Sequence, residues 1–159
     1  MNLPRIISLA CALLLPLVAR AQVLTADRVP TPVRQARQEK FPAVKSVEWK
    51  LKSDKNYEAE FTVKGASIAA KFDPAGKWLE TESAISRSKL PKVVRKAADR
   101  QFKGYKVTET QSVQRWNEES LIYELHLEDG REIVKAQFSA EGIVLNQTVK
   151  PKADKPAKP

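Results

Sequence analysis

The chain has one cysteine, one histidine, one methionine and five glycines in 159 residues. A lone cysteine excludes an internal disulfide. With only one histidine beside it, a Cys/His dyad and a His/Cys zinc cluster also lack parts. No Gly-x-Ser-x-Gly elbow and no glycine-rich phosphate loop occurs, so the chain encodes neither a serine-hydrolase nucleophile turn nor a P-loop. Its one long apolar run, Ile6 to Val18, is shorter than the roughly 20 residues a spanning helix requires.

That run has the form of an export signal. Arg5 precedes it, and Ala19-Arg20-Ala21 fits the small-x-small cleavage rule, which predicts removal of residues 1–21 before Gln22 and a periplasmic or secreted location. Cleavage removes Cys11, Arg5 and Arg20, leaving 26 Lys and Arg against 19 Asp and Glu. The basic residues are interspersed with acids instead of forming a stripe, which argues against nucleic acid as a partner, and no stable membrane insertion is expected once the signal is gone.

The end of the chain, 150–159, carries four Lys and three Pro and no large apolar residue, so it is expected to be a disordered Lys/Pro tail. Residues 22–28 are expected to be a linker. Between them runs an echo. Val29-Pro30-Thr31-Pro32-Val33-Arg34 with Phe41 resembles Leu90-Pro91-Lys92-Val93-Val94-Arg95 with Phe102 at an offset of 61. Tyr57-Glu58-Ala59-Glu60-Phe61 lines up with Tyr123-Glu124-Leu125-His126-Leu127 at an offset of 66. These offsets predict an α+β fold of two tandem repeats, 29–88 and 89–149, each a helix packed on a four-stranded antiparallel sheet. Val33, Ala36 and Phe41, and Val94, Ala97 and Phe102, supply the helical stripes, while period-2 alternation marks the strands.

Alternation sets Glu58, Glu60 and Thr62 on a polar sheet face opposite Tyr57, Ala59 and Phe61, with Glu124, His126 and Glu128 in the matching places. Glu58, Glu60, Glu124 and His126 are therefore the candidate partner-binding strip, with Trp49 and Trp78 as candidate aromatic anchors; alternation puts Trp78 on the side of Glu80 and Glu82. Two carboxylates and an imidazole at i, i+2 and i+4 also fit a metal or small-ligand carrier, the alternative function, although no cofactor is expected.

Val29-Pro30, Phe41-Pro42, Trp49, Tyr57-Glu58, Phe61 and Phe72-Asp73-Pro74-Ala75-Gly76-Lys77-Trp78-Leu79 resemble the PepSY-like proteins grouped with the β-lactamase-inhibitor-like fold. The resemblance implies an exported, non-enzymatic module that binds or inhibits a protein or peptide partner. It supplies no catalytic residues.

Overall fold

The computed structural model describes residues 22–152. The expected export signal with its cleavage point, and residues 153–159 of the expected tail, lie outside the described residues.

In chain order the elements are β1 (Gln22–Leu24), α1 (Thr31–Lys40), β2 (Glu48–Leu51), β3 (Tyr57–Val63), β4 (Ala66–Phe72), β5 (Trp78–Ala84), α2 (Lys92–Gln101), β6 (Lys106–Arg115), β7 (Ile122–Glu128), β8 (Glu132–Phe138) and β9 (Val144–Pro151). The nine strands form one antiparallel sheet whose spatial order follows the sequence from β1 to β9.

This corrects the expectation of two tandem helix-on-four-strand units. The sheet runs unbroken across the presumed boundary because β5 pairs with β6, Glu80 opposite Arg115 through Ala84 opposite Gln111. The N–H of Ile85 donating to Thr110 O and that of Trp116 donating to Leu79 O carry the ladder beyond both ends. The physical reason is backbone satisfaction: two separate sheets would each leave a strand edge unpaired, and the ten-residue β6 is long enough to pair on both sides. A ninth strand also forms where a linker was expected, Gln22–Leu24 against Trp49–Leu51. At the other end β9 continues through Pro151, and the Lys152 N–H donates to Arg131 O, so order extends past the expected start of the tail.

Both helices begin immediately after a proline, Pro30 and Pro91. In α1 Pro32 occupies the first turn, where a missing N–H is harmless. Val33 of α1 packs on Trp49, Ala59, Phe61, Ala70 and Phe72. Val94, Ala97 and Ala98 of α2 pack on Leu125, Leu127, Val134, Ala136 and Phe138. Cross-strand register places both clusters on one face of the sheet, separated there by Thr81, Ser83, Ser112 and Gln114. Val33, Phe72, Val94 and Phe138 have no exposed surface, and burial of such side chains contributes roughly 1.5–3 kcal/mol each. The helices thus cover one face and leave the other uncovered among the described residues.

Candidate functional site

On the face away from the helices, register sets Lys50 opposite Glu58, Glu58 opposite Lys71, Lys71 opposite Glu80 and Glu80 opposite Arg115. The result is a row of alternating sign across five strands. Lys71 Nζ reaches Glu80 Oε1 at 2.6 Å, and Arg115 Nε reaches Glu80 Oε2 at 3.2 Å. Beside the row, Lys50 pairs with Glu60 at 2.5 Å and Lys52 with Glu58 at 2.8 Å.

A second knot is centred on Glu124, whose side chain is fully buried. Its carboxylate accepts from His126 Nε2 at 3.1 Å, Gln137 Nε2 at 2.7 Å and Lys135 Nζ at 2.7 Å. Burial by itself would raise its pKa, but these three donors outweigh that and hold it down at about 2. His126 is raised above its ordinary value, first by the Glu124 hydrogen bond, against the opposing effect of burial, and then by the charge of Glu109, whose Oε2 lies 2.9 Å from Nδ1. Both ring nitrogens face carboxylates, which favours the imidazolium.

Glu82 differs from all of these. Its cross-strand neighbours are Ala69 and Val113, and among the described residues no side chain ion-pairs or hydrogen-bonds with it. Burial is the main cause of its raised pKa; Lys135 opposes the shift, and the charges of Glu124, Glu80 and Glu58 add to it.

Glu82 lines two depressions. One, of about 470 Å³, is walled by Glu48, Glu58, Glu60, Glu109 and Gln111 among others; a second, of about 280 Å³, lies among Lys71, Glu80, Arg115, Lys135 and Gln137. Glu48 on β2 and Glu109 on β6 belong to strands four positions apart, about 19 Å in a flat sheet at the usual strand spacing. Their meeting around one depression means that the sheet curls and that the charged face is its inner surface. Arg115 of β6 donating to Gln137 of β8 across β7 reflects the same curl.

The structure therefore places Glu58, Glu60, Glu124 and His126 on one face, in two groups at different depths. Glu58 and Glu124 are buried, and Glu60 keeps 37% of its side chain exposed. An acidic strip is not what they form, because Lys52, Lys50 and Lys135 neutralise Glu58, Glu60 and Glu124. Sequence reasoning missed Lys50, Lys71, Arg115 and Lys135; the signal that identifies them is cross-strand register, which a single strand does not carry. Trp49 lies on the helix face, 3% exposed in the core. Trp78 also lies on the helix face, opposite Phe72, and not beside Glu80 and Glu82. A bulge at Lys71/Phe72 inserts one residue into β5 and breaks the alternation there. The Trp78 indole donates to Thr81 Oγ1 at 2.9 Å and lies under Lys40 Nζ. As for a metal, no group of three His, Cys, Asp or Glu side chains among the described residues is arranged to hold one. Both His126 nitrogens and three acceptor positions of Glu124 are already engaged.

Several solved structures share this fold. A Bacteroides eggerthii protein described as one of the "putative periplasmic proteins" superposes with a TM-score of 0.69 at 21% identity, over 76% of this chain and 88% of that one. A DUF2874 family protein from Bacteroides uniformis gives a TM-score of 0.69 at 18% identity over the same shares. A BLIP-like protein from Bacteroides fragilis gives 0.65 at 23% identity, over 82% of this chain and 93% of that one. No curated protein matches the chain in sequence. A family model described as "Putative beta-lactamase-inhibitor-like, PepSY-like" matches residues 55–146. That span runs from the turn before β3 to the third residue of β9 and takes in the charged face from Glu58 to Gln137, so the chain belongs to the PepSY-like, beta-lactamase-inhibitor-like family.

Proposed function

We propose that this protein is a periplasmic, non-catalytic binding module of the inhibitor-like kind, which grips a protein partner through the curled charged face of its sheet. The observation carrying this reading is Glu82. A carboxylate seated between two depressions, with no paired cation among the described residues, is completed by a lysine or arginine from outside. The charges around it are already paired and hold the surface in one arrangement, so little ordering cost falls on binding.

The rest of the face fits recognition better than chemistry. Acids and bases meet there as ion pairs. The face spans nine strands, ample for the roughly 800 Å² per partner of a standard specific interface. Glu60 is more accessible than Glu58, Glu124 and His126, which set the shape and charge of the floor. The periplasmic location rests on the expected export signal and on the description of the Bacteroides eggerthii neighbour. No helix among the described residues is long and apolar enough to cross a membrane.

The test is affinity capture from a periplasmic extract of the source organism, using immobilised protein without residues 1–21. A partner with a basic contact site should be retained by the wild type and lost at least tenfold with Glu82→Gln and with Glu82→Lys. Circular dichroism identical to the wild type shows that the fold is intact. Equal retention by all three proteins removes Glu82 from the interface and with it this reading of the face.

A further inference from the structure

The two edges of the sheet are unlike. β1 closes one edge with only three residues, whereas β9 lines the other with eight, longer than a usual strand of 5–6 residues. Edge strands are normally blunted by charge, proline or shortness. Here Val144 to Val149 carries no charge and no proline, and Leu145 and Val149 are 51% and 46% exposed. Ile143 just before the strand is 63% exposed.

Which backbone groups of this edge are open follows from one hydrogen bond. The Lys152 N–H donates to Arg131 O, next to the pair Pro151 opposite Glu132. In an antiparallel ladder the bonding groups alternate in direction, so Lys150 and Thr148 turn theirs to β8, while Val149 and Gln147 turn theirs outward.

We propose that a second copy of this chain occupies the β9 edge, with the two β9 strands antiparallel about a two-fold axis at Gln147. In that register Gln147 exchanges both backbone hydrogen bonds with its symmetry mate. Asn146 falls opposite Thr148, polar on polar, and Leu145, the residue that the bulge opposite Gln137/Phe138 adds to β9, comes beside Val149, apolar beside apolar. Other outward-facing centres fail. An axis at Val149 sets Gln147 against Pro151, which has no N–H, and Leu145 is the residue that the bulge opposite Gln137/Phe138 inserts, so it does not continue the outward alternation. The strand is thus complementary to itself in one register, as an isologous interface demands. A two-fold perpendicular to the sheet also leaves both charged faces on the same side, giving the pair two binding surfaces with one orientation.

Light scattering coupled to size exclusion, across micromolar to millimolar protein lacking residues 1–21, tests this. The wild type should be a dimer. Gln147→Pro removes an outward N–H without taking a bond from β8, and Leu145→Lys sets a charge against Val149; each should give a monomer with unchanged circular dichroism. If Gln147→Pro lowers stability on its own, Leu145→Lys still decides. A wild type that stays monomeric over the whole range, or a dimer that survives Leu145→Lys, overturns the proposal.

Discussion

Glu80 and Glu82 stand two residues apart on the same face of β5 and are pushed in opposite directions. Burial raises both, but Lys71 and Arg115 reverse the effect at Glu80 and bring it below its ordinary value, whereas at Glu82 burial prevails. The difference lies in register. Glu80 has Lys71 and Arg115 as cross-strand neighbours, and Glu82 has Ala69 and Val113. One carboxylate thus stabilises the folded sheet, and the other is the one proposed above to meet a partner's cation.

Glutamine substitutions should separate the two roles. Glu80→Gln removes charge-assisted hydrogen bonds from both cations and should cost about 1.5–3 kcal/mol in urea unfolding at neutral pH. Because the pKa of Glu80 is depressed in the fold, its contribution is present above its ordinary value of 4.5 and fades as pH falls through the lowered one. Glu82→Gln should leave stability unchanged or raise it by up to about 1 kcal/mol at neutral pH, since a disfavoured buried charge disappears. For Glu82 the sign is reversed: its own contribution to stability declines as pH rises from 4.5 through the raised pKa, and Glu82→Gln should remove that part of the pH dependence. Equal losses for both variants would show that Glu82 has a cation after all.

The aromatic residues make a second contrast. Trp49 is 3% exposed in the cluster under α1, so Trp49→Ala should cost about 3–5 kcal/mol as a core truncation. Trp116 is 39% exposed with Lys77 Nζ 4.2 Å from its ring centre, and Trp116→Ala should stay within about 1 kcal/mol. Thermal unfolding followed by circular dichroism checks both. A small loss at Trp49 would mean that its side chain is not in the core.

Two glycines with the same backbone angle should respond differently to alanine. Gly65 and Gly76 both have φ above +80°, but a Cβ on Gly65 meets nothing within 4 Å, while one on Gly76 comes within 2.6 Å of Pro32 O at the start of α1. Gly65→Ala therefore carries only the left-handed penalty of about 1–2 kcal/mol. Gly76→Ala must in addition push α1 off the β4–β5 turn, and should cost about 3 kcal/mol or more. Similar losses at the two sites would show that the turn gives way without disturbing α1.

Much of this was legible along single strands. Period-2 alternation in Tyr57–Phe61 and Tyr123–Leu127 assigns the core side because side chains alternate with no reference to any other strand. What depends on pairing was not legible. The joining of β5 to β6 bridges the intervening α2, and no local pattern in Glu80–Ala84 or Gln111–Arg115 encodes the match. Trp78 shows the same limit on a small scale: one inserted residue opposite Lys71/Phe72 turns it to the other face. The neutralising cations also escape a strand-by-strand reading, because Lys71 and Lys135 look like solvated lysines until register sets them beside Glu80 and His126.

His126 offers the sharpest test of the buried network, since the chain has no other histidine to confuse its titration. Glu124 and Glu109 hold the imidazolium from both sides, so its NMR titration in the folded protein should lie above the ordinary value of 6.5. A raised histidine stabilises the fold fully below 6.5, and that contribution is lost as pH rises through the folded pKa. Glu124 acts at the other end of the scale: its support is present above 4.5 and disappears as pH falls toward about 2. Stability should therefore be greatest between these two limits. Glu124→Gln keeps the shape but removes the charge that Lys135 and His126 share, so the imidazole pKa should fall in that variant. Glu124→Ala should cost about 1–3 kcal/mol, because it also leaves Gln137 and the half-exposed Lys135 without their acceptor. An imidazole pKa that is the same in the wild type and in Glu124→Gln would show that Glu124 does not control the protonation of His126.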